Sequence, residues 1–380
     1  MGKPLDIEDF VMINRKILEV VGLYPRNCGR YVCCVVFMSL IVVPEALEIY
    51  YRRSDFDVVL ETSSVLLTII LAILKSVIWI SRRDTSDSVG FLINDYWKIA
   101  NHLGEPEDFY KSAKAAKVIT MSYSFLICNA LLFFYSLPLL HLLPHPGNSE
   151  QSERLRVPFL ATYPEFCYHS PAYEFVYISQ LLATSTCALI ILATDTLIAT
   201  ALLHTCGHFA IIERNISELN FAKSVENLEQ RVRVIIKHHQ LVIRFSDRLE
   251  FLFNPLMFLQ VFASSLIICL VGFQAQSGKL DKFPQYCSYL MMALFQLLLF
   301  CWPGDELITQ SSRVSTATFS ANWYIGPNHL RKDLQFIILR SQKSNFLSAG
   351  KLSAMNLENF SAILSSSLSY FMLLRSFSEN

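Results

Sequence analysis

Two histidines four residues apart, His204 and His208, are the residues whose spacing comes closest to a chemical motif in this 380-residue sequence. On a helix such a pair lies on one face and can bind a metal ion. No acidic ligand and no HExxH glutamate accompanies the pair, and there is no G-x-S-x-G element, P-loop or Gly-rich phosphate cradle. The ten cysteines form no Cys-x-x-Cys pair, which argues against a zinc module. We therefore expect no enzyme, no metal site and no cofactor.

The composition indicates a membrane protein rather than a soluble one. Hydrophobic residues make up 53% of the chain and charged residues only 17%, whereas a soluble domain has about 25% charged residues. Lys and Arg number 32, as do Asp and Glu, so the formal net charge is zero and gives no reason to expect a nucleic-acid partner. This composition is typical of a protein that is embedded in a lipid bilayer.

Seven stretches are long and apolar enough to cross a bilayer, which takes about 20 mostly apolar residues. The connections 1–30, 81–117, 205–254 and 303–354 hold 24 of the 32 Lys and Arg residues. The positive-inside rule places these connections in the cytoplasm, which gives a cytoplasmic N-terminus and an extracellular C-terminus, the reverse of a G-protein-coupled receptor. The predicted spans are Tyr31–Tyr51, Phe56–Ile80, Val118–Leu140, Tyr173–His204, Pro255–Gln274, Phe283–Trp302 and Met355–Phe377.

The predicted fold class is an all-α membrane protein with seven transmembrane helices and cytoplasmic helical extensions. Apolar residues at helical spacing predict an amphipathic helix over 225–253 and further helices over 304–324 and 330–340. They serve either packing within the chain or subunit assembly. The predicted regions are a cytoplasmic segment 1–30, transmembrane helices one to four at 31–204, a cytoplasmic connection 205–254, helices five and six at 255–302, a cytoplasmic anchor region 303–354, and helix seven with a short extracellular tail at 355–380.

A serine stripe marks the last predicted span. On a helix, small hydroxyl residues there share one broad face, which suits a water-filled channel or a tight helix interface better than lipid. Two apolar residues one turn apart near its extracellular end could close a pore by dewetting. The stripe comprises Ser365, Ser366, Ser369 and Ser376, and the apolar pair is Leu373 and Phe377.

Residues 302–377 contain five short motifs in a characteristic order and spacing: Gly304-Asp305-Glu306, Trp323-Tyr324, Arg340-Ser341-Gln342-Lys343, Ala349-Gly350-Lys351 and Ser369-Tyr370-Phe371. With these motifs, the segment resembles the C-terminal region of insect odorant receptors. The resemblance implies an odorant-gated, non-selective cation channel in the plasma membrane of a sensory dendrite, assembled as a heterotetramer with a shared co-receptor subunit. This chain lacks the long insertion between spans four and five expected of the co-receptor, so it resembles the odorant-tuning subunit.

The resemblance also implies the gate. The motif at Ser369 places Leu373 and Phe377 at the family's apolar constriction, with Ser376 beside it and Ser366 and Ser369 along the pore. Phe377 departs from the smaller aliphatic residues that the co-receptor has there. Three alternatives stay open at this point: a gustatory-type ligand-gated channel, a metabotropic seven-helix receptor and a transporter, although no inverted repeat supports the last.

The family's odorant pocket lies in the extracellular half of the bundle, and an odorant pocket should be apolar and aromatic with few polar groups. Tyr286 and Tyr289 are the strongest candidates, because each ring offers an apolar face and one hydroxyl; the pair predicts a small aromatic or heteroaromatic odorant with a single polar group. The alternative for each residue is that it packs in the core of the bundle and contacts no odorant. The remaining candidates by depth are Tyr177, Leu181, Thr184, Asn129, Phe133, Ser136, Glu61, Val65 and Thr68.

Four charged residues stand inside predicted spans, where charge is costly and commonly functional. They either pair with one another or reach the interface, or they couple the pocket to the pore. The sequence leaves their pairing open. They are Glu45, Glu48, Lys75 and Asp195.

Overall fold

A computed structural model describes residues 8–102, 106–140, 157–221, 225–277 and 282–378, and almost all of them are helical. This confirms the predicted all-α fold class. The helices are α1 Glu8–Val21, α2 Cys28–Tyr51, α3 Phe56–Ser81, α4 Arg83–Phe91, α5 Trp97–His102, α6 Pro106–Leu140, α7 Ala172–Ser217, α8 Val225–Ser277, α9 Phe283–Ser320, α10 Asn328–Gln342 and α11 Leu357–Ser378.

Short irregular elements connect these helices. A π-helical turn, Leu92–Tyr96, joins α4 to α5, and 3₁₀ turns cover Glu165–Tyr168 and Trp323–Ile325. Two-residue strands β1, Ser348–Ala349, and β2, Ser353–Ala354, form an antiparallel hairpin between α10 and α11. We call the end of the bundle that carries this hairpin, α10 and the first half of α8 the basal end.

Six of the described helices are long and apolar enough to cross a membrane: α2, α3, α6, α7, α8 and α9. The seventh predicted span corresponds to α11, whose serines dilute its apolar character. Its 22 residues still give a length of about 33 Å at 1.5 Å per residue, enough for a hydrocarbon core of about 30 Å.

Helices α7, α8 and α9, with 46, 53 and 38 residues, are much longer than the roughly 20 residues that one bilayer crossing needs. The amphipathic stretch predicted at 225–253 and span five are one 53-residue helix, α8, which passes through Pro255. Span six likewise runs through Pro303 to Ser320 within α9. The boundaries drawn at 254/255 and 302/303 therefore fall inside helices, because a proline removes one backbone hydrogen bond but need not end a helix whose neighbours pack against it.

Helix α7 forms the centre of the bundle, and α11 lies at its edge. Every residue of α7 from Ile190 to Phe209 is buried, and α7 packs against α6, α9, α2 and α1. Helix α11 packs against α8 and α9, and Ser367 is the one buried residue among its described side chains. A single chain therefore leaves most of the surface of α11 uncovered.

Candidate functional site

A cavity that is partly open to its surroundings lies between α3, α6, α7, α8 and α9. Most of the side chains on its wall are aliphatic or aromatic, as expected of a site for a small apolar molecule. They are Val65, Thr68, Ile69, Leu71, Tyr123, Ile127, Ala130, Leu131, Phe134, Phe159, Thr184, Cys187, Ala188, Ile191, Ile267, Tyr289, Met292, Ala293 and Gln296.

Aromatic rings build one end of the cavity. The ring of Phe134 stacks on that of Phe159 with centroids 5.0 Å apart and meets that of Tyr289 edge-on at 5.9 Å. Phe159 comes from the connection between α6 and α7, and Gln180 fixes its backbone: Phe159 N donates to Gln180 Oε1 at 3.0 Å and Gln180 Nε2 donates to Phe159 O at 3.1 Å. This connection therefore covers the cavity through a hydrogen-bonded anchor on α7.

Four of the predicted ligand residues lie on the cavity wall: Tyr289, Thr184, Val65 and Thr68. The hydroxyl of Tyr289 donates to the backbone oxygen of Ser64 at 3.1 Å and contacts the hydroxyl of Thr68. That hydroxyl is thus held by α3, and Tyr289 presents mainly its ring to the cavity.

The other seven predicted ligand residues are not among those that line this cavity: Tyr286, Tyr177, Leu181, Asn129, Phe133, Ser136 and Glu61. Several are engaged elsewhere. Tyr177 donates to the backbone oxygen of Tyr135 at 2.8 Å, Asn129 accepts from Ser288 at 2.8 Å, and Glu61 pairs with Lys282 at 2.8 Å. On α6 the cause is helical phase, because Phe134 rather than Phe133 faces inward.

Sequence reasoning missed the main α6 wall. Tyr123, Ile127, Ala130 and Phe134 recur at steps of four, three and four, the spacing of one helix face. That stripe was visible in the sequence and could have been found by scanning α6 for it. Phe159 carried no such signal, because it lies in a connection between helices.

The charged residues inside the bundle have defined partners in most cases. Lys75 Nζ lies 2.6 Å from Asp195 Oδ1, with both side chains at most 1% exposed. Glu48 pairs with Arg52 at 2.9 Å and accepts from Thr162. Glu45 is buried, and its carboxylate accepts no hydrogen bond from any described residue. Lys75 and Asp195 therefore pair with each other.

The histidine pair at the end of α7 forms no metal cluster in the part of the chain that the structure describes. His208 Nδ1 lies 2.9 Å from Nε2 of His238, a residue of α8 outside the predicted span. Burial lowers the pKa of His238 to about 4. These rings are therefore neutral packing groups near neutral pH.

The predicted pore residues face away from the rest of the chain. Leu373 is 57% exposed, and Ser366, Ser369 and Ser376 are exposed too. Ser366 and Ser369 donate to the backbone oxygens of Ala362 and Ser365. The side chain of Phe377 lies outside the described residues.

Long apolar helices around an apolar cavity define a multi-pass helical membrane protein with room for a small molecule. A profile of the family described as 7tm Odorant receptor matches residues 55–368. The chain belongs to this family, which confirms the resemblance seen in residues 302–377. Since this is a receptor family, the expectation that the chain is not an enzyme is confirmed as well.

Two relatives and one solved structure document the similarity. Odorant receptor 13a of Drosophila melanogaster is 29% identical over 283 residues, 68% of this chain and 66% of that receptor. Odorant receptor 82a of the same species is 24% identical over 355 residues, 91% of each chain. The structure of the insect olfactory receptor OR5 from Machilis hrabei in complex with eugenol covers 98% of both chains with a TM-score of 0.83 at 16% identity, which shows a shared fold.

Proposed function

We propose that this protein is the odorant-binding subunit of a ligand-gated, non-selective cation channel, in which a small aromatic odorant in the cavity opens a pore lined by α11. The observation that carries the proposal is the cavity, whose wall is built from aliphatic groups and the rings of Phe134, Phe159, Tyr289 and Tyr123. Such walls favour an aromatic or heteroaromatic ligand through ring stacking and edge contacts. The complex of OR5 with eugenol, an aromatic compound, supports this ligand class.

The orientation in this proposal has a cytoplasmic N-terminus and an extracellular C-terminus in the plasma membrane of a sensory dendrite. Its support is the excess of Lys and Arg in connections 81–117, 205–254 and 303–354. These connections hold the basal parts of α8 and α9 and all of α10. The basal end is then cytoplasmic. The cavity, whose wall includes Phe134 near the end of α6 and Tyr289 near the start of α9, then lies in the extracellular half.

The proposed assembly is a heterotetramer with a co-receptor. One α11 helix cannot surround a pore, so several chains must contribute one each. The basal end also exposes large apolar side chains outside the predicted spans, which favours burial by another subunit. They are Phe319, Tyr324, Ile325, Phe336, Leu339 and Leu352, the last of them 81% exposed.

A cavity-filling substitution with a matched control tests the proposal. Ala293 lines the cavity and is 3% exposed, whereas Met291, two residues earlier on α9, is 56% exposed. The chain is expressed with a co-receptor in cells whose G-protein signalling is blocked, and currents are recorded against a panel of small aromatic odorants. We expect Ala293→Phe to raise the half-maximal odorant concentration about tenfold or more by filling the space a ligand needs, and Met291→Phe to leave it unchanged.

Three results would each contradict a part of the proposal. Current that needs active G proteins would favour a metabotropic receptor, and equal responses of Ala293→Phe and wild type would remove the cavity as the odorant site. If antibodies reach a tag on the N-terminus in cells that have not been permeabilised, the N-terminus is extracellular and the proposed orientation is wrong.

A further inference from the structure

A chain of four buried polar side chains closes the cavity at the level of Gln296, and we call it the polar floor. Lys75 of α3 donates to Asp195 of α7 at 2.6 Å, and Gln296 Nε2 of α9 donates to Asp195 Oδ2 at 2.7 Å. The same nitrogen lies 3.5 Å from Gln260 Oε1 of α8. All four residues are buried, and Gln296 alone of the four lines the cavity.

The polar floor fixes which end of the Gln296 amide faces the cavity. A carboxylate can only accept hydrogen bonds, so the NH₂ group must point at Asp195. Its two hydrogens are directed at Asp195 and Gln260. The carbonyl oxygen of Gln296 remains, and no described residue donates to it. An acceptor without a donor in an apolar cavity is unfavourable until a ligand supplies one.

Tyr123 supplies the complementary group. It lines the cavity, and its hydroxyl oxygen is buried without a hydrogen-bond partner in the described part of the chain. Its ring stacks on Phe295 with centroids 5.9 Å apart, which holds the ring in place. A buried tyrosine hydroxyl without a partner is uncommon in folded proteins. It can donate to a ligand.

The other polar groups on the cavity wall already use their hydrogens within the protein. Each donates to a backbone oxygen of the helix that carries or neighbours it. Thr68 and Tyr289 donate to Ser64, Thr184 donates to Gln180, and Cys187 donates to Thr68. Within the described wall, Tyr123 is therefore the donor left for a ligand, and the Gln296 carbonyl is an acceptor to which no described residue donates.

We propose that Gln296 and Tyr123 select odorants that carry a hydroxyl group, with Asp195 as the positioning residue that orients Gln296. A hydroxyl both donates and accepts, so it can satisfy the Gln296 carbonyl and the Tyr123 hydroxyl together. An ether can only accept, and a hydrocarbon does neither. This inference rests on the proposed function, because it names the ligand class of the same cavity.

Matched ligand pairs test the selectivity. The full chain with its channel partner is exposed to small aromatic alcohols and to their methyl ethers, such as 2-phenylethanol and 2-phenylethyl methyl ether, and half-maximal concentrations are compared within each pair. We expect wild type to favour the alcohol by about tenfold, the effect of one good hydrogen bond, and Gln296→Met to remove most of that preference. Tyr123→Phe should weaken the responses to the alcohol and the ether alike, because both oxygens accept from the Tyr123 hydroxyl. The control is Gln285→Met, a buried glutamine of α9 that does not line the cavity and should keep the preference.

The positioning role of Asp195 has its own readout. The double variant Lys75→Met/Asp195→Leu removes the acceptor that orients Gln296 without leaving a buried charge unpaired. We expect the preference for alcohols to fall although Gln296 is intact, whereas a merely structural role would weaken the responses to both ligands equally. An unchanged preference in Gln296→Met, or unchanged responses of Tyr123→Phe to both ligands, would overturn the inference while leaving the cavity as the odorant site. The cavity fails as the odorant site only if Ala293→Phe is also without effect.

Discussion

Gly304 allows α11 to begin where it does, and replacing it with alanine should displace that helix. Gly304 follows Pro303 in α9, and the chain that leads into α11 crosses it at Met355. A Cβ atom at position 304 would lie 2.0 Å from the backbone oxygen of Met355. Ordinary contact begins near 3.4 Å, so one backbone segment would have to move by about 1.4 Å to accept a methyl group.

The expected loss of stability depends on how firmly the backbone at Met355 is held. The crowded atom is backbone, and Met355 N donates to Leu347 O at 2.8 Å, so no side-chain rotation relieves the contact. Overpacking costs about 1–3 kcal/mol, and a backbone clash belongs at the upper end of that range. Replacing glycine by alanine within a helix returns about 1 kcal/mol. We therefore expect a net loss of about 2 kcal/mol for Gly304→Ala.

A second glycine supplies the control. The atom nearest to a Cβ at Gly272 of α8 is Phe371 Cδ2 at 4.0 Å, so Gly272→Ala gains helix propensity without a clash. Melting temperatures of the purified variants are read by size-exclusion chromatography after heating, and odorant-evoked current is recorded in cells. Gly304→Ala should melt below wild type and lose current, whereas Gly272→Ala should do neither. A Gly304→Ala protein as stable as Gly272→Ala would refute the packing of α11 on α9 described above.

Three further predictions concern charge, pH and assembly. Lys75→Met alone should lower stability by about 3–5 kcal/mol, because it leaves Asp195 buried without its cation, and the double variant Lys75→Met/Asp195→Leu should recover most of the loss; equal melting temperatures for the two would show that the pair contributes nothing. Because burial lowers the pKa of His238 to about 4, the unfolded chain protonates first as the pH falls below about 6.5, so stability should drop from pH 6.5 toward 4, by about 2 kcal/mol at pH 5, and His238→Gln should flatten the melting curve against pH. Phe336→Glu and Leu339→Glu alter exposed side chains of α10, so they should leave the melting temperature of the single chain unchanged and reduce its co-purification with a co-receptor.

The sequence predicts the membrane-spanning helices well where an apolar run ends in a connection. Span two, expected over Phe56–Ile80, is α3, Phe56–Ser81. The basal ends of α7, α8 and α9 could not be placed in this way, because an apolar window reports where lipid ends and not where a helix ends. Residues 225–253 and span five were each recognised as helical, but nothing at Pro255 shows that they form one helix.

The candidate site shows a different limit. Depth in the membrane follows from the span boundaries, and Tyr289, Thr184, Val65 and Thr68 all lie on the cavity wall. The span boundaries do not show which face of a helix points into the bundle. Phe133 and Phe134 on α6 are equally apolar, and only packing against α7 and α9 decides which one faces inward. Contacts between residues that are far apart in the sequence are harder still to predict.

The ion pair in the polar floor illustrates such a distant pairing. Lys75 and Asp195 could each be recognised as costly inside a span, but they lie 120 positions apart, and no local pattern joins them. The same holds for the orientation of Gln296, which depends on a carboxylate from another helix. The selectivity of the cavity is therefore a property of the folded bundle and not of any local motif.

The serine stripe of α11 can be interpreted more closely with the structure than from sequence. A water-filled pore and a tight helix interface are its two explanations. Within one chain the interface is excluded for Ser366 and Ser369, because both are exposed while α11 meets α8 through Ser367 and Phe371. Their hydroxyls donate to carbonyl oxygens of their own helix, so they keep an accepting lone pair for water or for another chain. Either use requires further subunits, so the conducting role proposed for α11 depends on the assembly proposed for the exposed apolar surface at the basal end.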